Sequence, residues 1–293
     1  MSRIPALLGI VIMVALISGC QSAPMESDTI HAAASILPVQ FVVERVGGEL
    51  VDVMVLVGPG QSPATYEPTS KQMAALSKAD LYFSIGVPFE KAFMPKLAAG
   101  LSGLTIIDTR RGITLKEITD RNVHHDHDHH GVDPHVWLDP RNVAVMAENI
   151  CQALSTADPE HETTFRRNRD SLLVDLHAVH KRLTEMLAPY KGRTLYVFHP
   201  AYGYFADAYG LRQTAVEIEG KEPGPRQLAE LISRAKTDSV NVIFVQAQFP
   251  VNTAEKIADA LGARVVKIDP LAPDYLDNLE RIASAVVEAY RHE

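Results

Sequence analysis

A long amphipathic stretch at residues 159–187 runs through the middle of this sequence and separates two parts of similar character. Its apolar residues recur at intervals of three and four and form one continuous stripe, so the pattern predicts a single helix. A helix of this length would extend for roughly 40 Å, which is the length of a whole lobe or more. The stripe consists of Phe165, Leu172, Leu176, Val179, Leu183 and Met186.

Short apolar strands alternate with helical stretches on both sides of this helix. Alternation at this spacing favours parallel sheets that are covered by helices. The sequence therefore predicts an α/β fold in which two lobes flank one long helix. The predicted strands cover residues 30–36, 51–57, 81–85 and 104–107 before the helix, and 194–198, 214–218, 240–245 and 264–268 after it.

The beginning of the chain has the pattern of an export signal. An uninterrupted apolar run at residues 6–17 leads to two small residues and then to Cys20. The run is shorter than the roughly 20 residues that a membrane-spanning helix needs, so we interpret residues 1–19 as a signal peptide, with a buried N-terminal helix as the alternative. The sequence I-S-G-C resembles a bacterial lipobox, which implies that Cys20 carries a lipid anchor and that residues 20–28 form a tether.

The rest of the chain is divided into an N-terminal lobe at 29–157, a linking helix at 158–190 and a C-terminal lobe at 191–293. A His-rich loop at 121–131 interrupts the first lobe, since nothing in it can build a core. Its five imidazoles bind divalent metal weakly at neutral pH, either as an accessory metal site or within a dispensable, solvated loop. They belong to His124, His125, His127, His129 and His130.

Charge and cysteine content exclude some partners and some kinds of stabilisation. The formal net charge of -8 disfavours nucleic acid as a partner, because phosphate binding needs clustered Lys and Arg. It suits a protein that meets cations, although an acidic surface also simply keeps proteins soluble. If Cys20 is lipidated, Cys151 is the other cysteine of the chain and has no partner for an internal disulfide.

Three side chains that bind transition metals lie near the ends of predicted strands. His199 and Asp269 directly follow such strands, and His135 precedes Val136, near which we expect another strand to end. Loops at the carboxyl ends of parallel strands are where α/β folds bind ligands. Two imidazoles and a carboxylate suit zinc, and also manganese or iron. Each residue alone has an ordinary explanation as a solvated histidine or the start of a turn.

Six short motifs follow one another in an order that is typical of one protein family. They are P-A-T-Y-E-P at 63–68, D-P-H-V-W-L-D-P at 133–140, F-H-P-A-Y-G-Y-F at 198–205, E-P-G-P-R-Q-L at 222–228, I-D-P-L at 268–271 and D-Y at 274–275. Over nearly the whole mature chain they resemble the zinc and manganese solute-binding proteins of ABC transporters. The resemblance implies two (β/α) lobes joined by one rigid helix, with metal held in the cleft between them by His135, His199 and Asp269.

The resemblance also implies a function. It implies an extracytoplasmic lipoprotein, in the periplasm or at the cell surface, which is not an enzyme, acts as a monomer and delivers a divalent metal to the permease of an ABC importer. Because His199 is an imidazole rather than a carboxylate, Zn²⁺ is favoured over Mn²⁺. In zinc-type members of the family, a His-rich loop is thought to gather or sense metal.

Position 64 departs from the family pattern, which has a histidine there as a fourth ligand. Ala64 has no lone pair to offer. Three candidates remain open for the fourth position: a water molecule, a histidine of the His-rich loop, or another cleft residue such as Gln248 or Glu90.

Other functions fit less well. Manganese or iron binding in the same transport role is the nearest alternative. A zinc hydrolase needs an open metal position and a nearby base, but the sequence has neither H-E-x-x-H nor G-x-S-x-G. A surface adhesin role is compatible with metal binding, whereas siderophore or haem sites favour Arg and Tyr over two histidines and an aspartate.

Overall fold

The computed structural model describes residues 29–117, 131–217, 224–238, 240–249 and 251–291. The predictions for the signal peptide, for Cys20 and for the five histidines of the His-rich loop lie outside these residues. None of the helices in the described part of the chain is long and apolar enough to cross a membrane.

The first lobe contains a parallel sheet of four strands in the order β2-β1-β3-β4. Ala34 of the central strand lies opposite Val55 on one side and Phe83 on the other. The central strands are buried on both faces, which is why they appear in the sequence as continuous apolar runs. The strands are β1 (Ile30–Ile36), β2 (Val51–Val57), β3 (Leu81–Ser84) and β4 (Thr105–Asp108).

The second lobe repeats this topology with the order β6-β5-β7-β8, again entirely parallel. The strand predicted at 214–218 ends earlier, at Ala215. The prediction of two parallel-sheet lobes and a long helix between them is confirmed. The strands are β5 (Thr194–Val197), β6 (Arg212–Ala215), β7 (Val242–Gln246) and β8 (Arg264–Ile268).

Nine helices cover the two sheets within the described residues. The linking helix α5 has 26 residues, which corresponds to about 39 Å at 1.5 Å per residue. It packs against α1, α4 and α9, so it belongs to both lobes. The helices are α1 (Leu37–Gly47), α2 (Ser70–Leu76), α3 (Pro88–Gly100), α4 (Pro140–Ala157), α5 (Glu162–Leu187), α6 (Gly203–Ala208), α7 (Pro225–Thr237), α8 (Val251–Leu261) and α9 (Tyr275–Arg291).

One hydrophobic core extends through most of the molecule. It continues from the first sheet across the stripe of α5 to α9 and to one face of the second sheet. A smaller core lies on the other face of the second sheet, where α7 and α8 pack. Because the main core is shared, the two lobes are held to each other by buried apolar surface as well as by the linking helix.

The segment after the His-rich loop differs from the prediction. No strand ends near Val136; Val136–Leu138 forms a 3-10 turn, and Asp139 then caps α4 by accepting a hydrogen bond from the backbone N–H of Arg141 at 2.9 Å. The turn is fixed across the cleft, because the indole Nε1 of Trp137 donates to the carbonyl oxygen of Pro270 at 2.8 Å. The hydroxyl of Tyr275 donates to the carbonyl oxygen of Trp137 at 2.6 Å, which ties the same turn to α9.

Candidate metal centre

The carboxyl end of the second sheet contains a crevice between β5 and β7, where the order of the strands reverses. In open α/β sheets this switch point is the usual ligand site. His199 lies there, two residues after β5, and the side chain of Gln246 holds its backbone on both sides. The Nε2 of Gln246 donates to the His199 carbonyl oxygen at 2.7 Å, and the His199 N–H donates to Oε1 of Gln246 at 3.1 Å.

The imidazole of His199 is oriented by a buried carboxylate. Its Nδ1 is hydrogen-bonded to Oε1 of Glu217, whose side chain is only 4% exposed. The backbone N–H of Glu217 donates to the carbonyl oxygen of Phe198 at 3.0 Å, so the carboxylate follows β6 directly beside His199. The ring also stacks on Phe249, with centroids 5.1 Å apart. A carboxylate that accepts from Nδ1–H holds a neutral imidazole in the tautomer whose Nε2 has the lone pair.

His135 has the same arrangement in the other lobe. Its Nδ1 donates to Oδ1 of Asp133 at 2.7 Å, and its backbone N–H donates to the same oxygen at 2.9 Å. Asp133 is almost fully buried. Its other oxygen lies close to the first residue of α6, where a Cβ on Gly203 would be only 2.9 Å from Oδ2. The absence of a side chain at Gly203 therefore lets this carboxylate lie where it orients His135.

The two imidazoles meet across the cleft. The ring centroids of His135 and His199 are 5.3 Å apart and the rings are inclined at 74°. Each ring has its Nδ1 bonded to a carboxylate, so Nε2 is the ring nitrogen that this bond leaves for another partner. Two nearby carboxylates also make this point favourable for a cation. A cavity of about 160 Å³ opens beside the pair.

The structure does not bring Asp269 into this pair. It directly follows β8, and its Oδ1 accepts hydrogen bonds from Nε2 of Gln248 at 2.8 Å and from the backbone N–H of Leu271 at 2.9 Å. In the part of the chain that the structure describes, no three His, Cys, Asp or Glu side chains lie together as a metal-binding group. Gln248 and Leu271 do line the cavity beside the imidazoles, so Asp269 is held at its edge.

The residues considered for the fourth coordination position do not all lie at the cavity. Ala64 and Gln248 line the cavity, whereas Glu90 does not. The carboxylate of Glu90 accepts hydrogen bonds from the hydroxyls of Ser35 and Tyr82 and from the backbone N–H groups of residues 85–87. Burial raises the pKa of Glu90, and these hydrogen bonds lower it in part. Glu90 therefore fixes the loop between β3 and α3, and its carboxylate oxygens are already used as hydrogen-bond acceptors there.

Two functional residues were missed by the sequence analysis. Asp133 and Glu217 hydrogen-bond to Nδ1 of His135 and of His199. The sequence contains one indication of the role of Asp133, because this residue lies two positions before His135 in the same motif. Glu217 lies within the strand predicted at 214–218, and nothing local marks it as the partner of a histidine 18 positions away.

Comparison with known proteins gives one consistent family. A profile of the family described as "Zinc-uptake complex component A periplasmic" matches residues 33–289. The chain is 29% identical over 289 residues to the zinc-binding lipoprotein AdcA of Streptococcus pneumoniae, covering 93% of this chain and 55% of that protein. It thus spans about half the length of that relative. It is also 29% identical to a putative metal-binding protein of Treponema pallidum, covering 99% of this chain and 96% of that protein.

The same conclusion follows from solved structures. A crystal structure of ZnuA is 37% identical to this chain and superimposes with a TM-score of 0.83. The superposition covers 89% of this chain and 99% of that one. The two-lobe architecture is therefore shared over almost the entire described chain.

Proposed function

The chain belongs to the family of the periplasmic zinc-uptake complex component A, and from this premise we propose that it captures zinc outside the cytoplasm and delivers it to the permease of an ABC importer. It acts as a solute-binding protein and carries out no reaction on its cargo. The lipobox-like sequence at Cys20, together with the name of the lipoprotein AdcA, supports attachment to a membrane by an N-terminal lipid. The His-rich loop serves as an accessory site that collects metal for the cleft.

The paired imidazoles are the observation that carries this proposal. His135 and His199 come from different lobes, and each has its Nδ1 fixed by a buried carboxylate. Histidines that bind zinc usually donate their other N–H to a carboxylate or carbonyl in this way. Asp269 supplies the third ligand, with the oxygen that remains when Oδ1 accepts from Gln248 and Leu271.

The donor set also supports zinc over manganese. Imidazole suits zinc, whereas manganese prefers carboxylate, carbonyl and water oxygens. Two of the three proposed ligands are imidazoles, and the two carboxylates nearest to them are used as hydrogen-bond acceptors. We therefore expect the cleft to bind zinc more tightly than manganese.

Titration of the purified protein, stripped of metal, with zinc and with manganese tests this proposal. We expect His199→Ala to lower zinc affinity by more than about 100-fold, because even the loss of a carboxylate partner of a ligand typically costs 10–100-fold. His161→Ala is the matched control, since His161 is a partly exposed histidine bonded to Asp158 and outside the cavity. Zinc affinity that survives in His199→Ala at the level of the control would refute the cleft site.

Two further variants separate the cleft from the loop. Asp269→Asn should weaken zinc binding by at least about tenfold, because an amide oxygen is a poorer ligand than a carboxylate. Deletion of residues 121–131 should leave the tight zinc site in place and remove only weak additional binding. If the deletion alone abolished tight binding, the His-rich loop would be the true site.

A further inference from the structure

We propose that the cavity beside the histidine pair binds a small organic carboxylate together with the metal, and that this anion lies between the metal and the ammonium group of Lys91. The inference rests on the proposed function and extends it to the fourth coordination position. It identifies the ligand there as an exogenous carboxylate rather than a side chain of the cleft.

The first argument is the size of the cavity. About 160 Å³ is open beside the imidazoles, whereas a water molecule needs roughly 10–15 Å³ of such space. A metal ion with one bound water would occupy only a small part of this volume, and bulk solvent would fill the rest. A molecule of several non-hydrogen atoms fits the space without any movement of the walls.

The second argument is the set of donors on the walls. Among the described residues, His135 and His199 are the only His, Cys, Asp or Glu side chains that line the cavity. The wall at position 64 presents the methyl group of Ala64. A tetrahedral zinc ion that binds these two imidazoles and, as proposed above, Asp269 at the edge of the cavity keeps one open position, and this position is filled from solution.

The third argument is the charge of Lys91. Its side chain lines the same cavity, and a Cβ on Gly131 would lie 3.9 Å from its Nζ. Within the described part of the chain, no hydrogen bond or ion pair engages this ammonium group. A cation on the wall of a metal site repels the metal, but it attracts a metal that carries an anion. Lys91 thus opposes capture of a bare ion and favours capture of a metal carboxylate.

The remaining walls suit an organic ligand. Trp137 and Phe249 present aromatic rings, and Val87 and Pro134 add aliphatic surface. Small-molecule sites are mostly apolar with a few well-placed polar groups, and this cavity has that character. The apolar walls also lower the local dielectric around the imidazoles, which strengthens the attraction between a carboxylate and the metal; Lys91 is exposed and adds a weaker attraction.

Cobalt(II) and sodium acetate provide a direct test with the full-length protein, because the visible absorption of cobalt reports its ligands. We expect acetate to change the spectrum of the cobalt-loaded protein saturably. Lys91→Met should weaken the acetate response about fivefold, as the loss of one partly exposed ion pair would. Lys96→Met is the matched control, since Lys96 is an exposed lysine on the same helix and does not line the cavity.

Two more variants identify the source of the fourth ligand. Ala64→His should abolish the acetate response while cobalt remains bound, because the new imidazole takes the open position. The variant without residues 121–131 should respond to acetate like the full chain. A response that appears only after this deletion would show that the loop supplies the ligand, and would overturn the inference.

The outcomes also separate this inference from the proposed function. If cobalt binds with a histidine-type spectrum that acetate leaves unchanged, the inference is wrong and the metal site stands. If acetate acts equally on Lys91→Met and on the control, Lys91 has no part in the site. If cobalt does not bind to the cleft at all, the proposed function itself fails.

Discussion

Replacement of Glu217 by glutamine changes one atom and one charge next to His199. The side chain of Glu217 is only 4% exposed, and it is bonded to Nδ1 of the imidazole. Loss of such a carboxylate typically costs 10–100-fold in metal affinity, which corresponds to about 1.4–2.8 kcal/mol. The glutamine oxygen still accepts from Nδ1 and keeps the ring in place, so we expect Glu217→Gln to lose about tenfold in zinc affinity.

A second replacement at Glu217 gives the upper limit of the loss in zinc affinity. Glu217→Leu removes the acceptor as well as the charge, so the ring loses its orientation and we expect a loss of about 100-fold. Competition with a chromogenic zinc chelator measures both values, and unfolding by urea without metal shows whether the variants remain folded. A residue with a merely structural role would lower the unfolding midpoint without this graded loss of affinity.

The control is chosen from the same lobe. Glu230 is an exposed residue of α7 that pairs with Arg226 four positions earlier, and it does not line the cavity. Glu230→Gln removes the same charge from the same lobe and should leave zinc affinity unchanged. If Glu217→Gln and Glu217→Leu both bound zinc within about twofold of this control, the orienting role of the carboxylate would be wrong.

Two other predictions concern stability. Trp137→Phe leaves the carbonyl oxygen of Pro270 without its indole partner and opens space in a buried site, so it should lower the free energy of unfolding by about 2 kcal/mol, measured with urea. Burial lowers the pKa of His180, which contacts Tyr209, below its ordinary 6.5. The unfolded chain therefore binds this proton more readily, and stability falls as the pH drops below 6.5. His180→Gln should lose less stability between about pH 7.5 and 5.5 than the original chain, and a variant that lost as much as the original chain would contradict this.

The sheets could be predicted because their physical signal is local. A strand that is buried on both faces appears as a short run of apolar residues, and such runs marked β1, β3, β5 and β7. The edge strand β6 consists of R-Q-T-A and carries no such signal, so the strand predicted at 214–218 overlaps it at only two residues. The helix α3 could not be found in this way. It begins at Pro88 and contains Pro95, which counts as a helix breaker in a local reading. Its beginning is fixed by Glu90, which contacts Ser35 from 55 positions away.

The false strand at Val136 has a similar cause. The sequence predicts that a strand ends near Val136, where three apolar residues begin, but the backbone from Val136 to Leu138 forms a 3-10 turn. The indole of Trp137 bonds to Pro270, which lies 133 positions away, and Asp139 begins the next helix directly afterwards. A tertiary contact and a helix cap together override the apolar run, and only the cap is visible in the local sequence.

The candidate site was partly predictable for a topological reason. His199 and Asp269 could be placed at the carboxyl edge of the second sheet, because parallel strands end at a common edge. The distance of 5.3 Å between the rings of His135 and His199 depends instead on how the two lobes pack. The partnership of His199 with Glu217 depends on the register of β5 and β6, which no local pattern specifies.

Because the two imidazoles come from different lobes, the packing between the lobes must keep them in a fixed arrangement. Each lobe supplies one imidazole with its own buried carboxylate, so a metal that uses both rings requires the lobes to be held at a fixed separation. That separation is set by the shared core, by the linking helix α5 and by the bond from Trp137 to Pro270, one residue after Asp269. The two imidazoles are therefore in place before metal binds and need no ordering, whereas Asp269 lies at the edge of the cavity and has to approach the metal. Release of the metal is then expected to come from small shifts of the cleft loops rather than from wide rotation of the lobes.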